Sequence, residues 1–403
     1  MNSLERVKAA LHFSGPDKVP LFSQNLKTDV LPLAMLPSKN WHPGHIPEEE
    51  GLFPHPFDDF VVNLGLYKWK KPDWAKKNPK YKKNNWLKYP REEIDEWGCI
   101  WNRSGGNQTM GHPGRASMPS WGDLDKYLES HTPDPTDRTR YSLFLKLGKI
   151  ISLLGFKKYR VCVLGHVGPS QTASMIRGFS PYLVDHAKHP NELKRLLAHL
   201  TEFYVECIKN WIKFSAKPHG FLLVDDLGEQ SGPFFSPRTF KNFYEPVYRT
   251  IFQTAHDYGC ETHLHCCGKV DKLLPSLIEW GLDAIEFDSP RMSGYTDLKP
   301  YVGKIMFWAC ANIQSIYVNG TPDEVRKEVW HMMRNLGTKE GGFGLYPYPQ
   351  PYHIHVPKKN QKALYEGLKE FGDYTKIPPY WWDYPTPDEW DRYTVPALPP
   401  LSP

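Results

Sequence analysis

The sequence contains no run of 18 apolar residues, and its opening lacks the apolar core of a signal peptide. The expectation is a cytoplasmic protein without a membrane span. No apolar strand-like run is followed by a G-x-G-x-x-G fingerprint or by a P-loop, so dinucleotide and ATP chemistry have no local support. Long basic runs are also missing. The 50 basic and 45 acidic residues are interspersed, for a net charge of +5, which gives nucleic-acid binding little support. The densest basic stretch, 68–83, is broken by Pro and Trp and reads as solvated surface. Cysteine is scarce: seven in 403 residues, an odd number, argues for reduced thiols rather than a disulfide framework.

Proline (38), tryptophan (14) and tyrosine (22) are abundant, and many lie in 40–135 and 376–403. Disordered segments are poor in aromatics, so both stretches read as ordered loop or lid. Residues 3–13 read as a helix with Ser3 as its cap, and 19–23 as a short strand. From about 25 to 135 the periodicity is poor, and the stretch is too long for a plain connection. Beyond it, 143–154 reads as a helix. Strand-type runs then recur at 160–165 (RVCVLG), 220–224 (GFLLV), 260–265 (CETHLH), 284–287 (AIEF), 304–310 (KIMFWAC) and 344–348, with helical stripes between them. Ser236-Pro237 and the capping box at Thr321–Glu324 open two of those helices. Alternation of this kind means a parallel α/β sheet. The count favours a (β/α)8 TIM-type barrel over residues 1–403, with 25–135 as an inserted lid or subdomain and 376–403 as a carboxyl-terminal extension.

In such folds the reactive side chains gather at the carboxyl ends of strands. GFLLV runs into Asp225, Asp226, Leu227, Gly228, Glu229 and Gln230. Buried acids are costly unless paired, so these are either caps and loop partners or a metal ligand, general acid or substrate clamp. CETHLH runs into His265, Cys266, Cys267 and Gly268. Imidazole and thiolate are the usual zinc ligands, and residues two apart in extended chain share a side. His265 and Cys267 are therefore a ligand pair or two buried, unligated side chains. Cys310 ends KIMFWAC as a third thiolate or a structural thiol. Tyr346, Tyr348 and Tyr352 can stack on an aromatic ligand or simply wall a loop; His353 and His355 are ligands, acid/base groups or ordinary histidines.

Several blocks carry a family resemblance: 6–20 (RVKAALHFSGPDKVP), 165–179 (GHVGPSQTASMIRGF), 225–237 (DDLGEQSGPFFSP), 265–273 (HCCGKVDKL), 281–287 (GLDAIEF), 320–325 (GTPDEV) and 356–360 (VPKKN). In this order they resemble the uroporphyrinogen decarboxylase superfamily, which implies a TIM-type barrel. True decarboxylases carry an R-Q-A-G-R block near the amino terminus; here Leu21-Phe22-Ser23-Gln24-Asn25 stands instead. The other branch of the superfamily is corrinoid-dependent methyltransferases, which bind zinc through H-x-C and a distant Cys. His265 and Cys267 match the first two positions, and 347–351 holds no Cys. Glu229, His353 or His355 can complete the set, or the site lacks metal. Asp95-Glu96-Trp97-Gly98-Cys99 and Gly111-His112 resemble the members that demethylate methoxylated aromatic compounds.

The resemblance implies O-demethylation, the methyl group passing to the Co(I) corrinoid (cobalamin) of a partner protein. The chain itself lacks the D-x-H-x-x-G motif of corrinoid carriers. On this reading His265, Cys267 and Glu229 form the metal or acid cluster, zinc being the metal, with His265, Glu229 and Asp226 catalytic. Asp225, Asp226, Gln230, Tyr346, Tyr348, Tyr352 and His353 contact the substrate. A methylcobalamin:thiol methyltransferase, a porphyrinogen decarboxylase and a non-catalytic tetrapyrrole- or corrinoid-binding module are the competing readings. The tail folds over its own barrel or clasps a neighbour in a homodimer.

Overall fold

Apolar strands separated by amphipathic helices build a curled parallel sheet in a computed structural model of the chain. The structure describes all residues except 24–26, 37–50, 55–72, 82–88, 106–110, 142–149, 151–152, 154–156, 166, 215–216, 388–389, 392 and 403. The sheet has seven strands in sequential order. They are β1 (Val30–Ala34), β2 (Tyr159–Val163), β3 (Gly220–Val224), β4 (Glu261–His265), β5 (Ala284–Phe287), β6 (Met306–Ala309) and β7 (Phe343–Leu345). Every residue of β5, β6 and β7 is buried, as strands covered on both faces require. The register aligns Val224 with His265 and His265 with Glu286, which brings the ends of β3, β4 and β5 level.

Residues 19–23 do not form the expected strand. Leu21 makes a single parallel bridge to Leu345, and Lys18 an antiparallel one to Asp373. The segment is nevertheless tied to both edge strands. Phe22 N donates to Leu345 O (2.9 Å) and Asp29 N to Leu21 O (2.7 Å), while the Asp29 carboxylate accepts from Leu21 N (2.9 Å). Arg6 pins the same segment through Asp17 and Asp29, each at 2.8 Å.

The first helix runs over Ser3–Leu11, and its cap is Asn2, not Ser3, in a reciprocal box with Glu5. Ser236 and Thr321 cap their helices as expected, each with proline in the first turn. Most of the helix expected over 143–154, and parts of the basic stretch 68–83, lie outside the described residues.

The chain divides into two compact units. One comprises Met1–Leu33, Lys149–Cys162 and Pro218–Pro403 and holds the parallel sheet; the other comprises Ala34–Gly148 and Val163–Lys217. The second has its own four-stranded sheet, Leu52–Pro54, Arg91–Ile94, Ile100–Arg103 and His112–Pro113. Its core uses the long stripe of Pro190–Phe214: Phe203 meets Trp97 edge-on at 4.9 Å, and Trp211 meets Tyr141 at 5.1 Å. Arg140 and Glu96 form a buried bidentate pair inside it (2.7 and 2.6 Å). Among the described residues no helix is long and apolar enough to cross a membrane.

Candidate active site

Asp226 follows β3, and Cys267 follows β4, which ends in His265. Their ligand atoms all lie within 4.8 Å of one another. His265 Nε2 is 3.1 Å from Cys267 Sγ, and the Cys267 backbone N–H donates to Asp226 Oδ1 at 2.9 Å. The third member of the sequence-expected cluster, Glu229, is replaced by Asp226. Glu229 lies exposed three residues further along the loop, where its carboxylate accepts from Ser231 Oγ.

Two acids that the sequence reading passed over complete the site. Glu286, the third residue of β5, accepts from His265 Nδ1. Asp288 follows the same strand, with Oδ2 3.6 Å from Cys267 Sγ. Their signal was present as an acid inside the otherwise apolar run AIEF and another just past its end. Both are buried, and among the described residues neither Glu286 Oε1 nor Asp288 Oδ1 has a hydrogen-bond partner.

Burial dominates the protonation of this cluster. It pushes Glu286 up to about 7, opposed by His265 and reinforced by Asp288 and Asp226. Asp288 is raised by burial too, with Asp226 adding. Burial alone would lower the His265 pKa, but the charges of Cys267 and Glu286 outweigh it and hold it well above its ordinary value. Cys267 is exposed, and its thiol faces Asp288 Oδ2 at 3.6 Å. Loss of solvent raises that thiol well above its usual range, Asp226 and Asp288 push the same way, and His265 pulls back.

Tyr346 and Tyr348 stand beside the cluster. Burial raises both phenols, and the charges of Glu286, Asp288 and Cys267 act on each. Tyr346 packs edge-on against Phe22 at 5.0 Å. The remaining expected residues lie exposed or have partners of their own. Asp225 is fully buried and accepts from Tyr248 OH at 2.7 Å, so it anchors the helix Pro237–Asp257 to β3. Gln230 is exposed. Tyr352 is exposed and meets the ring of His353, and His355 is exposed with φ +58°. Cys310 is buried and accepts from Tyr348 N at 3.4 Å, as a structural thiol does.

One imidazole nitrogen, one sulfur and one carboxylate oxygen form a donor set suited to zinc with an open fourth position. A carboxylate on the far nitrogen of the histidine is the usual outer partner of such a ligand. The residues therefore fit a zinc ion. Glu286→Gln is expected to weaken zinc retention about 10–100-fold in chelator competition. Unchanged affinity would mean that Glu286 does not orient the imidazole.

Two glycines set the spacing. The loops after β3 and β4 touch through backbone: Lys269 N donates to Glu229 O at 2.9 Å, and a β-carbon on Gly268 would overlap the Gly228 carbonyl. Backbone cannot swing aside as a side chain can. Gly268→Ala is therefore expected to part Asp226 from Cys267 and to weaken metal binding about 10-fold or more. A variant with normal affinity would show that this contact does not hold the spacing.

Residues 122–356 match the family model described as uroporphyrinogen decarboxylase (URO-D). The chain belongs to the uroporphyrinogen decarboxylase family. Its β3, β4 and β5 ends, with Asp226, His265, Cys267, Glu286 and Asp288, all fall inside the matched span. The fold of this family member is similar to that of a solved methyltransferase from Methanosarcina mazei. Identity is 18% and the TM-score 0.55, covering 92% of this chain and 99% of that one. No curated protein matches the chain.

Proposed function

We propose that this family member is a methyltransferase that moves a methyl group from a methoxylated aromatic compound to the Co(I) corrinoid of a separate partner protein. The observation that carries the reading is the convergence of Asp226, His265 and Cys267 at the ends of adjacent parallel strands. Likeness to a solved methyltransferase supports it. The acidic wall argues against a decarboxylase, which must hold the carboxylates of a porphyrinogen. The same reading takes the bonds of residues 20–22 to β7 and of Asp29 to Leu21 as the eighth position of a closed TIM-type barrel.

In the reaction the O–CH3 bond breaks, the Co(I) electron pair forms the new bond to carbon, and the departing phenolate takes up a proton. Zinc held by Asp226, His265 and Cys267 would supply Lewis-acid charge to that oxygen. Glu286 fixes the His265 ring, and Tyr346 and Tyr348 wall the donor and exclude water. Gln230 and Glu229, exposed on the β3 loop, meet the donor at the rim.

Burial holds the Cys267 thiol protonated above the ordinary range, so a metal must displace that proton. Zinc affinity is expected to rise between about pH 6 and about pH 8. Chelator competition at both ends checks this, and equal affinities contradict it.

The function is tested by mixing the protein with reduced corrinoid and a panel of donors: methoxylated aromatics, methanol, methylamines and a methylthiol. Methylation of the corrinoid from an aromatic ether is expected in the absorbance spectrum. Carbon dioxide release from a porphyrinogen, with no methyl transfer from any donor, would overturn the proposal.

A further inference from the structure

Residues 394–403 read TVPALPPLSP, with Pro396 and Pro399 three positions apart. Proline fixes φ and has no N–H, so such a segment does not pair as a strand and favours the polyproline II helix, with three residues per turn. Burial along the segment follows that period. Val395 and Pro396 are half-buried and Ala397 is exposed. Leu398 is half-buried, Pro399 is buried, and Pro400 and Leu401 are exposed again. One edge of a three-fold helix, carrying Pro396 and Pro399, therefore lies against the body of the chain.

Side-chain donors of the body engage the carbonyls of this segment. Arg291 donates to the carbonyls of Asp391 and Thr394 at 2.8 and 2.9 Å, and His331 Nε2 to that of Pro396 at 3.0 Å. Trp381 Nε1 donates to Pro400 O at 3.0 Å, and Tyr380 OH joins it on the same oxygen. These donors come from three helices, Pro290–Ser293, Pro322–Leu336 and Pro379–Asp383. All of them belong to the unit that holds the parallel sheet. Trp381 packs on Trp330 at 5.1 Å, while Trp390 meets Tyr295 at 5.0 Å and His331 at 5.3 Å. Among the described residues no backbone-to-backbone bond ties 391–402 to the body. An aromatic surface that offers N–H and O–H groups to the carbonyls of a proline-rich segment is the arrangement by which polyproline ligands are recognised.

We propose that this groove is a polyproline-binding site, filled in cis by residues 394–400, and that it takes a proline-rich segment of the P-x-x-P type in trans when its own segment is displaced. The bonds run from side chains to carbonyls, so they do not depend on which chain supplies the carbonyls. A tethered segment and a free peptide compete for the same donors, and the tether gives the former an effective concentration of about millimolar.

The test uses the full-length protein and a labelled synthetic peptide of residues 391–402, read by fluorescence anisotropy. Pro399→Asp puts a charge at the buried position of the cis segment and is expected to release it. That variant is expected to bind the peptide at least about 10-fold more tightly than the wild type, in which the tethered segment competes. Adding Trp381→Phe keeps a ring but removes the N–H, and is expected to weaken the peptide about fivefold. A peptide carrying Pro396→Ala and Pro399→Ala loses its preorganisation and is expected to bind at least about 10-fold more weakly than the native one. The comparison of the two peptides on wild type, carried to about millimolar peptide, stands even if the variant fails to fold. Absence of saturable binding to a folded Pro399→Asp protein overturns the proposal. So does equal binding by that variant and the wild type, or equal binding of the alanine and native peptides.

Discussion

His265→Ala is expected to strip the site of its metal and to lower methyl transfer by more than about 100-fold, beyond what loss of a ligand's outer partner costs. The imidazole touches two members of the cluster: Nε2 faces Cys267 Sγ at 3.1 Å and Nδ1 is bonded to Glu286. Its removal takes away a proposed zinc ligand and leaves Glu286 buried without its His265 partner. Metal content and single-turnover transfer, measured on the same sample, check the result. Retained metal with retained transfer would mean that the chemistry lies elsewhere.

The largest effect on stability is expected at Arg291. It sits in the short helix Pro290–Ser293 after β5, three residues past Asp288, with its side chain fully buried. Its Nε and one terminal nitrogen bind Glu328 at 2.7 and 2.6 Å. The other terminal nitrogen donates to the carbonyls of Asp391 and Thr394 at 2.8 and 2.9 Å. The ring of Trp390 covers the guanidinium at 5.0 Å, and His331 Nε2 bonds Pro396 O at 3.0 Å. These contacts show the Trp- and Pro-rich extension folded over its own unit. Arg291→Ala leaves Glu328 as an unpaired buried charge and releases the tail. The expected cost is about 3–5 kcal/mol in denaturant unfolding. A variant within about 1 kcal/mol of the parent would show that the pair is not needed.

How far the sequence reaches is visible element by element. GFLLV, CETHLH, AIEF and the apolar centre of KIMFWAC are strands because continuous apolar runs bounded by polar residues have few other solutions in a parallel sheet. The pairing of His265 with Cys267 followed from their spacing. Residues 19–23 were misread because their apolar character answers burial, while their backbone bonds go to Leu345 on one side and Asp29 on the other without a ladder. Which acid joins the cluster was not legible. Asp225 and Asp226 are adjacent, and strand alternation sends one to Tyr248 and the other to Cys267. The choice depends on the register of β3 against β4, which no local pattern encodes. Glu286 and Asp288 enter the site because β5 lies beside β4, a tertiary fact that spacing within one segment does not carry.

The most direct test of the account is single-turnover methyl transfer from a methoxylated phenol to reduced corrinoid, before and after removal of metal with a chelator. Transfer is predicted to disappear on chelation and to return when zinc is restored. Equal rates in metal-free and zinc-loaded protein would contradict a metal-centred role for Asp226, His265 and Cys267.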